Sequence, residues 1–113
     1  MRLLALSLLV AACSQTPPAS PTAPGDETIE GVVLSIDGEP MTYDGNAVLL
    51  LRTADGERRV EIPARTNLCE AVGLDVALGS EPGQRLRVTG ARQADGAVVP
   101  CASATHAVVR VSS

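Results

Sequence analysis

Three cysteines and one histidine are the residues of this chain best suited to chemistry: Cys13, Cys69, Cys101 and His106. Cys101 and His106 form a Cys-x4-His pair that Cys69 could join. Thiolate sulfur and imidazole nitrogen together suit zinc or copper. One reading is therefore a metal-binding protein with Cys101 and His106 as ligands, and it requires reduced thiols. The plainer reading of His106 is a half-exposed ring on the last strand. Catalysis has less support. Nucleophilic or acid–base work needs a positioned pair or triad, and no nucleophile motif frames a serine. Gly79-Ser80-Glu81-Pro82-Gly83 has the length of a G-x-S-x-G elbow, but its serine is displaced and its Pro-Gly reads as a turn. The chain reads as a non-enzyme without a cofactor.

A second group occupies residues 37–46. Asp37, Glu39 and Asp44 supply three carboxylates, and Met41 and Tyr43 supply apolar contact area. As a recognition loop this segment would take a peptide, a glycan or a cationic protein, with Tyr43 as the anchor. The alternative is a solvated hairpin with Tyr43 packed onto the domain. The spacing does not match a calcium loop. Arg52, Arg58, Arg59, Arg85, Arg87 and Arg92 fall on neighbouring predicted strands. They either line a patch for an anionic glycan or lipid headgroup, or interleave with Glu57 and Glu61 as solvated surface. The formal net charge is −4, and Tyr43 is the sole aromatic residue. Nucleic-acid binders need a basic face and stacking platforms, so that class is excluded.

These residues need a scaffold, and the pattern for one begins at residue 28. Residues 28–36 read as a strand rich in Ile and Val, closed by Asp37-Gly38. Residues 47–53 and 57–62 are strands around Asp55-Gly56, a hairpin signal in which both turn residues take positive φ. Within 64–78, Asn67 and Glu70 resemble a capping box. Leu68, Ala71 and Val72 would form one helical face ended by Gly73, with 74–78 as a second short turn. Glu81-Pro82-Gly83-Gln84 is a β-turn. Residues 85–93 alternate as a strand, Asp95-Gly96 turns the chain, and 97–101 and 105–111 return, with Pro100 marking a bend.

This succession predicts an all-β fold with one short helix. Its element order resembles the OB-fold, a five-stranded Greek-key barrel with a helix between strands three and four. A small β-sandwich and an SH3-like barrel are the alternatives. By the resemblance, Cys69 would sit on the helix and Cys101 at the bend of strand five, and the 37–46 loop would border the usual binding face.

The first residues carry a second resemblance. Arg2 precedes an apolar run of about ten residues, and Val10-Ala11-Ala12-Cys13 resembles the lipobox of bacterial lipoproteins. A spanning helix needs about 20 residues, so the run is too short to serve as a transmembrane anchor. The resemblance implies a signal peptide over 1–12, cleavage before Cys13 and acylation of Cys13. A multiply acylated cysteine holds firmly in a bilayer. Ser14, where Asp would signal inner-membrane retention, implies a periplasm-facing outer-membrane protein. Residues 13–27, with Pro17, Pro18, Pro21 and Pro24, are then a semi-extended tether, and 28–113 are the domain. With Cys13 acylated, Cys69 and Cys101 remain as a pair, which in an oxidising compartment reads as a disulfide. The expected function is a non-catalytic binding or scaffold module whose partner is an envelope protein, a peptide or a glycan. Inhibition of a cationic enzyme such as lysozyme, and periplasmic metal binding, are the alternatives.

Overall fold

The computed structural model describes residues 25–112. Cys13, the signal segment and residues 13–24 of the tether lie outside the described residues. The strands are β1 (Asp26–Asp37), β2 (Ala47–Thr53), β3 (Gly56–Ile62), β4 (Arg85–Arg92), β5 (Val98–Val99) and β6 (Ala107–Val111), with one α-helix, α1 (Leu74–Leu78). β1 starts at Asp26 instead of 28, so the last two tether residues belong to the sheet.

β1 pairs with β4 through its first half and with β2 through its second. β2 pairs antiparallel with β3, and β3 meets β5 through the parallel pair Val60–Val98. β5 returns antiparallel to β4 and closes the ring β1-β2-β3-β5-β4. This is an OB-like barrel; the sandwich and SH3-like alternatives are not realised. β6 lies on the same edge of β4 as β5. The two are halves of one fifth strand, broken over residues 100–106 where Pro100 denies the ladder a donor.

The core follows the period-2 pattern of each strand. Ala47, Leu49 and Leu51 of β2, Val60 and Ile62 of β3, and Leu86 and Val88 of β4 are fully buried. β1 breaks the pattern: Ile29 and Val33 point inward, yet Ile36 also packs on the core. A register shift between Val33 and Ser35 resolves this. Leu34 is the extra residue of a β-bulge, which reverses the side-chain phase and bends the long strand around the barrel.

Two sequence expectations about local structure are corrected. Asp55 and Gly56 do not share positive φ. Gly56 (φ 105°) and Gly96 (φ 91°) are left-handed, whereas the preceding Asp55 and Asp95 are not. Each turn is centred one residue earlier, on Ala54-Asp55 and Ala94-Asp95, with glycine taking the left-handed position that follows a type I turn.

The expected helix at Asn67–Val72 is also absent. Thr66–Leu68 make a single 3-10 turn, Cys69 is extended (φ −90°, ψ 145°), and α1 begins only after Gly73 (φ 86°). The cause is competition for backbone donors. Glu70 and Ala71 N–H both donate to the Cys101 carbonyl (2.7 and 3.1 Å), and Val72 N–H donates to His106 O (3.1 Å). Those groups pair with the strand-five bend and are lost to a helix. Gly73 therefore starts α1 and does not end a helix. α1 then delivers Leu74 and Ala77 to the core.

Candidate functional site

Cys69, Cys101 and His106 converge on the strand-five bend. Cys69 and Cys101 form a disulfide, with Cα atoms 4.5 Å apart and a sequence separation of 32. Cys101 lies at the bend as expected. Cys69 lies on extended backbone and not on a helix, so the staple joins the β3–α1 connection to the broken strand. His106 is only 2% exposed, which corrects the half-exposed reading. Its Nδ1 accepts the Cys101 N–H at 3.1 Å, which places the ring proton on Nε2. Nε2 then donates to Asp26 Oδ1 at 3.1 Å. Both sulfurs and both ring nitrogens are thus engaged within the protein. Among the described residues no cluster of three His, Cys, Asp or Glu side chains has metal-holding geometry. Asp26 was not legible as a partner, because nothing in the sequence ties it to a residue 80 positions away.

In the 37–46 loop, Pro40 opens a 3-10 helix over Glu39–Tyr43, and Asp44 closes it in the left-handed region (φ 67°). Asp37 Oδ1 accepts the Glu39 N–H at 3.0 Å. The two apolar side chains separate. Met41 packs against the core, while Tyr43 is 81% exposed and projects from the barrel. Asp37, Glu39 and Asp44 are exposed around it.

The loop ends at Asn46, beside a groove on the outer face of β2–β3. One part of it, about 300 Å³, is lined by Leu50, Glu57, Arg58, Arg59, Asp95 and Gly96, among others. An adjoining part, about 510 Å³, is lined by Asn46, Glu61, Gln93, Asp95 and Val99. The β2–β3 register fixes this surface, since Leu50 opposes Arg59 and Val48 opposes Glu61. Arg59 spans the groove. Its Nε donates to Glu61 at 2.8 Å and its guanidinium also reaches Asp95. Asn46 donates to the other Glu61 oxygen at 3.0 Å. The Ala97 N–H, and Arg59 beside it, hold the Asp95 carboxyl below the usual carboxylate range. The groove carboxylates Glu57, Glu61 and Asp95 outnumber its arginines, Arg58 and Arg59, by one, and Arg58 is already paired with Glu27.

Of the other arginines, Arg58, Arg85, Arg87 and Arg92 are interleaved with carboxylates, and Arg52 makes no ion pair among the described residues. Arg58 makes a bidentate pair with Glu27 (3.0 and 2.6 Å), which Arg92 approaches at 3.7 Å. Arg85 and Arg87 share Glu30. The partners are Glu27, Glu30, Glu61 and Asp95; of the expected pair only Glu61 takes part, and Glu57 forms no ion pair among the described residues. Asn46, Leu50 and Asp95 were not singled out in the sequence. The alternation of Leu50 with Arg52, against Glu57, Arg59 and Glu61 on the paired strand, was the available signal for the face. Asp95 came to it only through the β4–β5 hairpin. No family model matches the chain, and no curated protein matches its sequence.

Proposed function

We propose that this chain is a lipid-anchored protein of the bacterial outer membrane. Its OB-like domain is a non-catalytic binding module that receives a cationic segment of an envelope protein or peptide. The anchor reading rests on Val10-Ala11-Ala12-Cys13. The binding reading rests on one observation above the rest: an open groove on the outer β2–β3 face whose three carboxylates outnumber its two arginines, beside a loop that projects Tyr43 into solvent. An anchor residue of this kind contributes contact area at low entropic cost, and charge complementarity steers the encounter. Both His106 nitrogens are already hydrogen-bonded, which supports a non-catalytic role.

Two experiments test the reading. The unreduced mass of protein extracted from its own membrane should equal residues 13–113 plus acyl chains minus two hydrogens. Cys13→Ala should abolish the added mass and release the protein from the membrane fraction; unchanged fractionation removes the anchor. An arginine-rich peptide should bind the acylated protein in a salt-dependent manner. Glu61→Gln with Asp95→Asn should weaken it about tenfold, or about 1.4 kcal/mol. Equal binding of an acidic peptide removes the cationic-partner reading. Lysozyme, as a cationic protein, serves as a further probe, and inhibition of it would narrow the partner class.

A further inference from the structure

We infer that the outward face of β6 and β4 rests on the membrane surface, an inference that depends on the anchored reading. Four large apolar side chains are exposed among the described residues, and Tyr43 is one of them. The other three, Leu68 (69%), Val72 (60%) and Val109 (46%), belong to the β3–α1 connection or to β6. Register places two of them on one strip. Val72 pairs with Ala107, and paired residues share a face. Ala107, Val109 and Val111 have the phase opposite to the buried Val108, so Val72, Ala107, Val109 and Val111 all face outward.

The next strand gives this strip a positive border. Val109 lies opposite Arg87 and Val111 opposite Arg85. These two arginines share one carboxylate, Glu30, at 3.1 and 3.7 Å. The border therefore keeps a surplus positive charge on a protein whose net charge is −4. An apolar strip edged by arginine is complementary to an anionic headgroup layer.

The chain outside the structure leads to the same place. Gly25 O accepts the Arg92 N–H at 2.8 Å, and the Asp26 carboxylate is held by His106, whose carbonyl accepts the Val72 N–H. The tether thus joins the domain at the end of the Val72–Ala107 strip. From Cys13 to Gly25 there are 25 − 13 = 12 residue steps, which reach at most about 43 Å when fully extended. A link this short holds the strip near the bilayer at roughly millimolar effective concentration, so a weak surface contact suffices. The barrel order sets β4 apart from the β2–β3 wall, with β1 between on one side and β5 on the other. A membrane under β6 and β4 leaves the groove open to the periplasm.

The test uses the full acylated protein, isotope-labelled, in nanodiscs of phosphatidylethanolamine and phosphatidylglycerol doped with a gadolinium-chelate lipid. Amides of Val72, Thr89 and Val109 should relax several-fold faster than those of Leu50 and Arg59. Val72→Asp with Val109→Asp should retain the acyl mass and the native spectrum and lose that contrast. Acylated protein with uniform relaxation, or with the fastest relaxation at Leu50 and Arg59, overturns the inference and leaves the anchor standing. A contrast that survives the double substitution overturns it too. An unacylated chain overturns both.

Discussion

Removing the disulfide should act mainly on the unfolded chain, and its size can be worked from the structure. Cys69 and Cys101 are 32 residues apart. The chain-entropy relation for a loop of that length gives a loss of about 3.7 kcal/mol at 25 °C. For a domain of this size each kcal/mol lowers Tm by about 4–8 °C, so a Cys69→Ala, Cys101→Ala chain should melt roughly 15–30 °C lower. The native fold should survive, because the bonds from Glu70 and Ala71 N–H to the Cys101 carbonyl are independent of the sulfurs. Two further signatures follow from that mechanism. The denaturant m-value should rise, since the unlinked chain exposes more surface when unfolded. Amide shifts in the native state should change only around residues 66–74 and 98–108. Urea unfolding followed by circular dichroism, with a two-dimensional amide spectrum of the same sample, measures all three. A loss below about 1 kcal/mol, or shifts spreading through β2 and β3, would refute the reasoning and show that the staple shapes the native barrel.

Three other outcomes are expected. Arg58 hydrogen-bonds Glu27 and holds its carboxyl below the usual carboxylate range. Its contribution is therefore present above about pH 4.3, the unfolded value, and is lost as pH falls through the lower folded value. Glu27→Gln should cost about 1–2 kcal/mol at pH 7 and almost nothing at pH 2, by urea titration at both; a constant gap refutes it. Gly73→Ala should cost roughly 2 kcal/mol or more by thermal unfolding. Gly73 has φ 86°, and an added Cβ there would collide with the Val108 carbonyl. Tyr43→Ala should leave stability within about 0.5 kcal/mol while weakening the cationic peptide, read by calorimetry; undiminished affinity removes Tyr43 from the site.

The parts of the fold that were legible are those set by local patterning. Leu86 and Val88 alternate with Arg85 and Arg87, Pro100 announces the bend, and glycine follows aspartate at both tight turns. What escaped was decided by distant partners. The Asn67–Glu70 box is a sound local signal for a helix, but the Cys101 and His106 carbonyls take its donors. Val32-Val33-Leu34 hides a bulge, because three consecutive apolar residues look the same whether or not the register shifts among them. His106 looked half-exposed because its carboxylate lies at the far end of the sequence. Within the candidate site, the exposure of Tyr43 was one of two readings left open, and the groove at the end of its loop depended on a hairpin that only the closed barrel brings near β3.

The pairing of β1 on both edges decides how the domain bears load. Any pull on the residues before Gly25 is delivered along the axis of β1. That strand is bonded to β4 from Asp26 to Val32 and to β2 from Gly31 to Asp37. Tension along it stresses the hydrogen bonds of two ladders in shear, together and not one after another. The disulfide adds nothing on this path, because it joins the β3–α1 connection to the strand-five bend. A domain fixed through its first strand in this way resists detachment at the residue where traction arrives, and the β3–β5 seam, closed by the single pair Val60–Val98, stays out of the line of force.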